Sequence, residues 1–379
     1  MRDVRDIKAA VVGTGFIGVV HVEALRRLGV EVTGVVGSSP ERAREKAKTV
    51  VLPEPYESFE AMLDDPAVEV VHLTTPNHLH HAQVKQTLAA GKHVVCEKPL
   101  AMDSTETAEL LRLADESGLV HAVNFNIRFY PQVQEARRRV AAGEVGEVRL
   151  VSGGYLQDWL LWDTDWNWRL DPAAGGSLRA VGDIGSHSLD LVQFVTGRRV
   201  EAVMADLTTF IPIRRQPTGP VETFSGAASG ETVDTPMETE DSAGILLRLS
   251  GGARAVATVS QVSAGRKNRL HWEIDGSTDA LAWNSEDPER LWIGHRDRPN
   301  ELMLREQGDY PPGHAQGFPD TFKDLYRAVY AAVAAGGRPD EPDYPTFADG
   351  HEEAVIGDAI ARSHAEQRWV TVSPVPQEV

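Results

Sequence analysis

Three features that the sequence lacks or nearly lacks limit the class of protein to which it can belong. It has one cysteine among 379 residues, Cys96, so no disulfide can form within it, which is typical of a reducing cytoplasm. No apolar run approaches the roughly 18 residues that a membrane-spanning helix needs, and the first residues, MRDVRDIKAAVVG, lack the pattern of a secretory signal. Basic blocks are also missing, and the formal net charge is −18. We therefore expect a cytoplasmic protein that binds neither nucleic acid nor membranes.

Two patterns of apolar residues divide the chain. Up to residue 125, short apolar runs alternate with helical segments, as in IKAAVVG followed by FIGVVHVEALRRLG, which predicts a parallel sheet with helices on both faces. Later runs such as SAGILLRLS and ARAVATVSQV have strand character with little helix between them, which predicts a large, mainly antiparallel sheet. We expect an α/β domain over 1–125 and an α+β domain over 126–379. Whether the C-terminal helices pack back on the first domain stays open.

A glycine-rich segment, GTGFIG at residues 13–18, matches the G-x-G-x-x-G pattern of dinucleotide-binding loops. It follows an apolar strand and opens a helix, which is the context that the pattern requires. Gly13 allows the tight turn, Gly15 lets the backbone approach a pyrophosphate, and Gly18 lets helix and strand pack closely. These residues predict a Rossmann domain that binds NAD or NADP.

The carboxylate expected about 20 residues after such a loop is missing. The second strand ends in VVGSSPER, with Gly37, Ser38 and Ser39 where Asp or Glu would bind the adenine ribose. A carboxylate there would repel a 2′-phosphate, so its absence permits NADP, which Ser38, Ser39 and Arg42 could hold. Equally, these residues could simply begin a helix. The sequence favours NADP slightly over NAD.

Further motifs carry a family resemblance. Residues 74–101, TTPNHLHHAQVKQTLAAGKHVVCEKPLA, and the D-x-G-x-H of GDIGSHSLDL, residues 182–191, follow GTGFIG in order. Together they resemble the Gfo/Idh/MocA oxidoreductases, the family of glucose–fructose oxidoreductase and inositol dehydrogenase. The resemblance implies a Rossmann domain, a second domain with a large, open sheet, and homodimers or homotetramers formed through that sheet. It also implies NAD(P)-dependent chemistry at a secondary hydroxyl or keto carbon of a sugar, glycoside or cyclitol.

The chemistry of such a reaction can be argued from the residues. Hydride transfer from a carbinol carbon needs a base for the hydroxyl proton and a cation for the developing alkoxide. His187 suits the base, because the ordinary pKa of imidazole is about 6.5 and a helix N-terminus disfavours imidazolium. Lys98 suits the cation, at the carboxyl edge of the fourth parallel strand. The resemblance implies the same roles, with Asp183 assisting. We expect Lys98 and His187 to converge on one alcohol carbon, and we expect a cis Lys98–Pro99 bond.

Each of these residues also has a simpler interpretation when taken alone. Lys98 would be a solvated lysine, Asp183 a helix cap and His187 a buried histidine. The resemblance further implies that the turn after the third strand and Glu97 face the cofactor, although His80 could equally lie on a helix surface. The predicted cofactor-binding residues are Gly13, Gly15, Phe16, Ile17, Gly18, Ser38, Ser39, Arg42, Thr75, Pro76, Asn77, His80, Glu97 and Lys98.

The expected substrate region is rich in tryptophan. DWLLWDTDWNWRLDP, residues 158–172, holds four tryptophans beside polar side chains, which suits a sugar ring, although indoles there could also pack under the loop. Arg179 either enters the pocket or points away. Residues 211–241 predict one long loop, either a lid or disordered. No metal site is predicted. The predicted substrate-binding residues are Lys98, Arg128, Tyr155, Gln157, Trp168, Arg169, Asp183 and His187.

Two other functions remain open. A redox-neutral enzyme could keep NAD bound and cleave a glycosidic bond through transient oxidation. A non-catalytic NAD(P)-binding regulator is the other alternative, and the joint presence of Lys98, Asp183 and His187 argues against it.

Overall fold

The computed structural model describes residues 2–48, 51–219 and 230–372. The described chain divides into two compact units. Unit 1 consists of the residues up to Asn126 and of Phe318–Ala354, and unit 2 consists of Ile127–Gly317 and the residues from Val355 onwards. Each unit has its own buried apolar cluster.

The elements are numbered along the chain. The strands are β1 (Lys8–Val12), β2 (Glu31–Val36), β3 (Val70–Leu73), β4 (His93–Cys96), β5 (His121–Val123), β6 (Val148–Leu156), β7 (Val200–Thr208), β8 (Ile213–Pro217), β9 (Thr232–Pro236), β10 (Ser242–Leu249), β11 (Arg254–Ser260), β12 (Arg269–Gly276), β13 (Ala280–Asn284), β14 (Arg290–Gly294), β15 (Glu301–Leu304) and β16 (Val370–Thr371). The α-helices are α1 (Phe16–Arg27), α2 (Pro40–Ala47), α3 (Phe59–Leu63), α4 (Asn77–Ala89), α5 (Ser104–Ser117), α6 (Pro131–Ala141), α7 (Pro172–Gly175), α8 (Ser186–Thr196), α9 (Phe318–Ala335) and α10 (Phe347–Glu366).

Unit 1 contains a five-stranded parallel sheet in the order β2-β1-β3-β4-β5. Every residue of β3 is buried, as expected for a parallel strand that helices cover on both faces. The order places the carboxyl ends of β1, β3 and β4 next to one another. The segments that follow these strands, which begin at Gly13, Thr74 and Glu97, therefore share one edge of the sheet.

Unit 2 contains a nine-stranded sheet in the order β15-β14-β13-β12-β6-β11-β10-β7-β16. All of its neighbouring strands are antiparallel except β6 and β11, which are parallel. Buried and exposed residues alternate along β10 and β11, so one face of the sheet covers the core of unit 2 and the other is exposed. The predicted fold class is confirmed.

The prediction of one continuous loop over 211–241 is wrong for two segments. Ile213–Pro217 and Thr232–Pro236 pair with each other as an antiparallel two-stranded sheet. The sequences IRRQP and TVDTP hold few apolar residues and are mostly exposed, so they lack the alternation by which a strand is recognised. Residues 220–229 of the predicted loop lie outside the described residues.

The described residues contain neither a membrane-spanning helix nor a metal-binding cluster. None of the helices placed in residues 2–48, 51–219 and 230–372 has the length and apolar character to cross a membrane. Within the same ranges, no group of three or more His, Cys, Asp or Glu residues is arranged to hold a metal ion.

Candidate functional site

The glycine loop between β1 and α1 is built for close approach. Gly13 has a φ of +112°, and a Cβ there would lie 2.4 Å from Thr74 Oγ1. A Cβ on Gly18 would lie 2.1 Å from the Gly13 carbonyl oxygen. A Cβ on Gly15, in contrast, would meet no atom within 4 Å, and Gly15 immediately precedes α1. Open space therefore lies at the N-terminus of this helix, where backbone N–H groups can receive a pyrophosphate.

The turn after β3 is fixed to this loop. The Thr74 N–H and hydroxyl both donate to the Val12 carbonyl at 2.8 Å. The Thr75 hydroxyl donates to Gln83 Oε1 at 2.6 Å, and α4 begins at Asn77 with Pro76 as its N-cap. The predicted residues of this turn therefore lie beside the glycine loop, at the carboxyl edge of the sheet.

His80 connects two strand ends. It is fully buried, and its ring nitrogens lie 2.8 Å from the Pro99 carbonyl oxygen and 2.9 Å from that of Thr75. Burial lowers the pKa of His80, partly offset by the two carbonyl groups. The alternative position on a helix surface is wrong, and the buried ring also offers no surface for the predicted contact with a cofactor. Its contacts instead tie the segment after β4 to the segment after β3.

The end of β2 gives Ser39 the role of a helix cap. Its hydroxyl accepts a hydrogen bond from the Arg42 N–H at 3.3 Å, and Pro40 occupies the first turn of α2. Ser39 therefore begins α2 as its N-cap, which is one of the two roles that the sequence left open for these residues. Ser38 and the side chain of Arg42 are exposed.

Glu97 and Lys98 follow β4. Glu97 is buried, and its Oε1 accepts from the side-chain amide of Asn124 and lies 3.1 Å from His21 Nε2. Its Oε2 accepts from the Lys98 N–H at 3.2 Å. Lys98 is partly buried, and the Lys98–Pro99 peptide bond is cis, as expected.

Unit 2 holds Asp183 and His187 on consecutive helical turns. Asp183 lies in a π-helical turn, Val181–Gly185, that leads into α8, and His187 is buried in the first turn of α8. The Asp183 carboxylate accepts from Arg169 Nε at 3.0 Å and from Gln261 Nε2 at 2.9 Å. Wide helical turns of this kind are frequent at functional sites.

A second polar group surrounds Tyr155, whose ring centroid lies 6.3 Å from that of His187. The Tyr155 hydroxyl donates to Asn268 Oδ1 at 2.6 Å, and Gln157 Nε2 donates to the same oxygen at 2.8 Å. Trp159 Nε1 donates to Gln157 Oε1 at 2.8 Å. Burial raises the pKa of Tyr155, so its phenol stays protonated and can donate.

Two comparisons of sequence identify the chain. Residues 7–125 match the family described as "Oxidoreductase family, NAD-binding Rossmann fold", and residues 133–282 match the "GFO/IDH/MocA C-terminal domain". The chain belongs to the Gfo/Idh/MocA oxidoreductase family. It is 29% identical to levoglucosan dehydrogenase of Pseudarthrobacter phenanthrenivorans over 98% of this chain and 99% of the relative.

Solved structures of Gfo/Idh/MocA proteins share the architecture. A levoglucosan dehydrogenase in complex with NADH and L-sorbose matches with a TM-score of 0.87 and 28% identity over 97% of this chain and 99% of the other. An inositol dehydrogenase homologue from Azotobacter vinelandii in complex with NAD+ matches with a TM-score of 0.81 and 25% identity over 96% of this chain and 97% of the other. The predicted family is therefore confirmed, and the chain is an oxidoreductase with an NAD-binding Rossmann domain.

Sequence reasoning missed two residues of unit 2 that contact predicted site residues of this Gfo/Idh/MocA member, Gln261 and Asn268. Gln261 follows β11, and Asn268 precedes β12. Both strands flank β6, so these residues reach the sheet edge where β6 ends in Tyr155 and Leu156. Because this adjacency comes from strand pairing, no local signal in the sequence marks either residue.

Arg128 was expected to line a substrate pocket, and its guanidinium contacts a carboxylate. Its Nε donates to Asp190 Oδ1 at 3.0 Å and to Oδ2 at 2.9 Å, and its Cζ lies 4.8 Å from the centroid of the Phe194 ring. Arg128 therefore fixes α8, the helix that carries His187.

In this Gfo/Idh/MocA member, a buried arginine binds backbone carbonyl groups of the tryptophan-rich segment, residues 158–172. Arg214 Nη1 donates to the Trp162 carbonyl at 2.8 Å, and its Nη2 donates to the Leu160 carbonyl at 2.9 Å and to Asp241 Oδ1 at 2.8 Å. Arg179 is buried and bonds to the same carboxylate oxygen, so it points into unit 2.

Within the same segment, Arg169 lies over the ring of Trp168, with its Cζ 4.3 Å from the ring centroid. Its Nε also donates to Asp183. Trp162 is 63% exposed. Arg169 therefore connects the partly buried indole of Trp168 to the Asp183 carboxylate.

Proposed function

We propose that this chain transfers a hydride between a nicotinamide cofactor and a secondary hydroxyl or keto carbon of a sugar, glycoside or cyclitol. The Asp183 carboxylate, held by Arg169 and Gln261 one turn before His187, is the observation that carries the proposal. A carboxylate fixed on both oxygens beside a buried histidine suits proton exchange with a hydroxyl group. Similarity to levoglucosan dehydrogenase and to an inositol dehydrogenase homologue supports the substrate class.

The proposal gives each residue a role in the same reaction. His187 takes up or returns the hydroxyl proton, Asp183 orients His187 and stabilises its charged form, and the Lys98 ammonium stabilises the developing alkoxide. Bound nicotinamide supplies the hydride acceptor or donor. We assign cofactor binding to residues 1–125 and substrate binding and association to residues 126–379.

Hydroxyl recognition is assigned to the group around Tyr155. Tyr155 and Gln157 both donate to Asn268, so the Tyr155 hydroxyl oxygen is left as an acceptor and the second N–H of the Gln157 amide as a donor before a substrate binds. Trp168 presents an apolar face, and Arg169 presents charge to the polar edge of a sugar ring. Polar groups fixed in this way reduce the entropy lost on binding.

For the cofactor, we propose that NADP is accepted at least as well as NAD. Support comes from the end of β2, where Gly37 and the exposed Ser38 stand at the position of the missing carboxylate and Arg42 is exposed one turn later. Ser38→Asp would place a negative charge against a 2′-phosphate. The ratio of kcat/KM for NADP+ to that for NAD+ should fall in this variant. An unchanged ratio would contradict the proposal.

We also propose that the chain forms homodimers or homotetramers through the exposed face of the large sheet, in the cytoplasm. Met204, Leu246 and Val256 are direct neighbours on β7, β10 and β11, and they are 36%, 44% and 43% exposed. Adjacent apolar side chains on one sheet face favour burial against a second copy. Light scattering should give a dimer or tetramer mass, and Leu246→Lys should lower that mass. A monomer would refute this part.

The decisive experiment is a panel of sugars, anhydrosugars, glycosides and cyclitols with both cofactors. Absorbance of reduced nicotinamide should rise in proportion to product. Lys98→Ala should abolish turnover while NADH still binds, and Lys85→Ala is the matched control, since Lys85 lies on α4 paired with Glu109. Near-normal turnover of Lys98→Ala would contradict the assignment.

The same panel separates the alternatives. Glycosidic cleavage without accumulation of reduced nicotinamide would favour the redox-neutral enzyme. Cofactor binding without turnover on any member of the panel would favour the regulator.

A further inference from the structure

Unit 1 contains a chain of buried polar side chains that ends on Glu97. His21, on α1, and His72, on β3, are both fully buried, and their Nδ1 atoms lie 3.0 Å apart. His21 Nε2 lies 3.1 Å from Glu97 Oε1. At the other end, His72 Nε2 lies 3.0 Å from the hydroxyl of Tyr330 on α9. Three hydrogen bonds therefore connect a tyrosine to the residue that precedes Lys98.

The proton on the Glu97 side can be assigned from hydrogen-bonding capacity. The carboxylate also accepts from the Asn124 side-chain amide on Oε1 and from the Lys98 N–H on Oε2, which favours its ionised form. An ionised carboxylate can only accept. His21 must therefore carry a proton on Nε2 and donate it to Glu97.

The position of this proton determines which atoms of His72 and Tyr330 donate and which accept. Burial lowers the pKa of His72 well below its ordinary value, and a positive charge on His21 would lower it further, so His72 is neutral in either charge state of His21. Burial likewise raises the pKa of Tyr330, so its hydroxyl keeps its proton. A neutral His21 accepts at Nδ1, which places the single proton of His72 on its own Nδ1. His72 Nε2 then accepts from the Tyr330 hydroxyl.

A proton added to His21 leaves the bond to Glu97 unchanged. The imidazolium donates from Nδ1 to His72, whose proton then sits on Nε2 and points to the Tyr330 oxygen. Only the two distal bonds reverse direction. His21 Nε2 donates to Glu97 in both charge states, so the carboxylate keeps the same partner.

We propose that His21 and His72 are positioning residues that hold the Glu97 carboxylate, and with it the Lys98 backbone, in one orientation whatever the charge on His21. The inference deepens the proposed function and rests on it, because the orientation affects turnover only if Lys98 takes part in the reaction. The titratable groups that pack against the pair are Glu97, Tyr330 and Tyr326, whose ring centroid lies 5.2 Å from that of His21 and 4.7 Å from that of His72.

The first test needs no substrate. Nitrogen NMR of the protein labelled at its 13 histidines reports which ring nitrogen carries the proton, and the signals are assigned by their loss in His21→Gln and His72→Gln. At neutral and mildly alkaline pH we expect His21 protonated on Nε2 and His72 protonated on Nδ1. A His21 ring protonated only on Nδ1, or a charged His72, would overturn the inference.

The second test separates positioning from simple packing. His21→Leu removes the donor to Glu97, whereas His21→Gln keeps an amide donor at a similar reach. We expect His21→Leu to remain folded and to lower kcat by about 100-fold, the scale of a small misplacement at a reacting centre. His21→Gln should recover most of the loss. His81→Leu, a histidine of α4 paired with Glu109, is the matched control.

The outcomes are distinguishable. A folded His21→Leu with wild-type kcat overturns the inference, and so does a folded His21→Gln that is as slow as His21→Leu. If Lys98→Ala turns over normally, the proposed function fails instead, and the tautomers measured by NMR still decide whether the chain of donors exists.

Discussion

A buried ion cluster in unit 2 gives the sharpest prediction of stability. Asp241 is fully buried and shares its carboxylate between Arg179 and Arg214, whose side chains are also fully buried. It accepts in addition from the Ile211 N–H at 2.8 Å. Burial alone would raise the pKa of Asp241, but the charge and hydrogen bond of Arg179, with the bonds from Ile211 and Arg214, hold it below its usual value. Asp241→Asn keeps the shape of the side chain and removes this charge.

The expected loss of stability in Asp241→Asn follows from the cost of keeping an unpaired charge out of water. Removing one partner of a buried ion pair costs about 3–5 kcal/mol, because the remaining charge stays out of water. The Asp163–Arg215 pair joins the same residue types at 2.8 Å, but both side chains are 48% exposed. Pairs of that kind contribute about 0–1 kcal/mol. Asp163→Asn is therefore the matched control for Asp241→Asn.

The assay is urea and thermal unfolding followed by circular dichroism. A loss of about 3–5 kcal/mol should lower the melting temperature by about 10 °C, and the control should change it by about 2 °C or less. Asp241 stabilises the fold fully at pH values above 3.8, the ordinary pKa of an aspartate. This stabilisation is lost as the pH falls through the lower pKa of Asp241 in the folded state. The melting temperatures of Asp241→Asn and the wild type should therefore become equal only in strong acid. A difference of less than about 1 kcal/mol at neutral pH would refute the reasoning.

Three further predictions concern other parts of the molecule. Gly13→Ala should lower the melting temperature, whereas Gly15→Ala should fold normally and lose NADH affinity in a fluorescence titration; equal effects would contradict the geometry of the loop. Gln261→Ala should lower kcat about tenfold, since a donor to Asp183 is lost, and cofactor affinity should not change. Burial lowers the pKa of His121 to about 4, so this residue should contribute about 3 kcal/mol to the loss of stability as the pH drops from about 6.5 to about 4, and the melting temperature of His121→Gln should fall less over this range than that of the wild type.

Unit 1 could be predicted from sequence because its signals are local. The strand, the glycine loop and the helix that follows occupy one continuous segment, and the loop's open and closed positions are those expected of Gly15 and of Gly13 and Gly18. Ser39 shows the limit of such signals, because a serine that caps a helix and a serine that binds a phosphate have the same sequence context. Only the hydrogen bond to the Arg42 N–H separates the two.

The contacts of unit 2 were harder to predict from sequence because they depend on pairing between strands that are distant in the chain. β6 and β11 pair in parallel although about a hundred residues separate Leu150 from Arg254, its partner in register. The apolar alternation of β11 predicts a strand but says nothing of its neighbour. The contact between Gln261 and Asp183 follows from that neighbour. The exposed strands β8 and β9 were not predicted for a different reason. Their residues are mostly polar, so the sequence shows no alternation of apolar and polar residues there.

Glu97 in unit 1 and Asp183 in unit 2 are held by different kinds of donor, and this difference argues for different roles. Glu97 is bound by neutral donors of Asn124 and the Lys98 backbone and by His21, so its negative charge remains largely available to a nearby cation. Asp183 shares its charge with the guanidinium of Arg169. A carboxylate paired in this way is a weak proton acceptor and a good orienting group. Asp183 therefore fits the positioning of an acid–base histidine better than proton transfer itself.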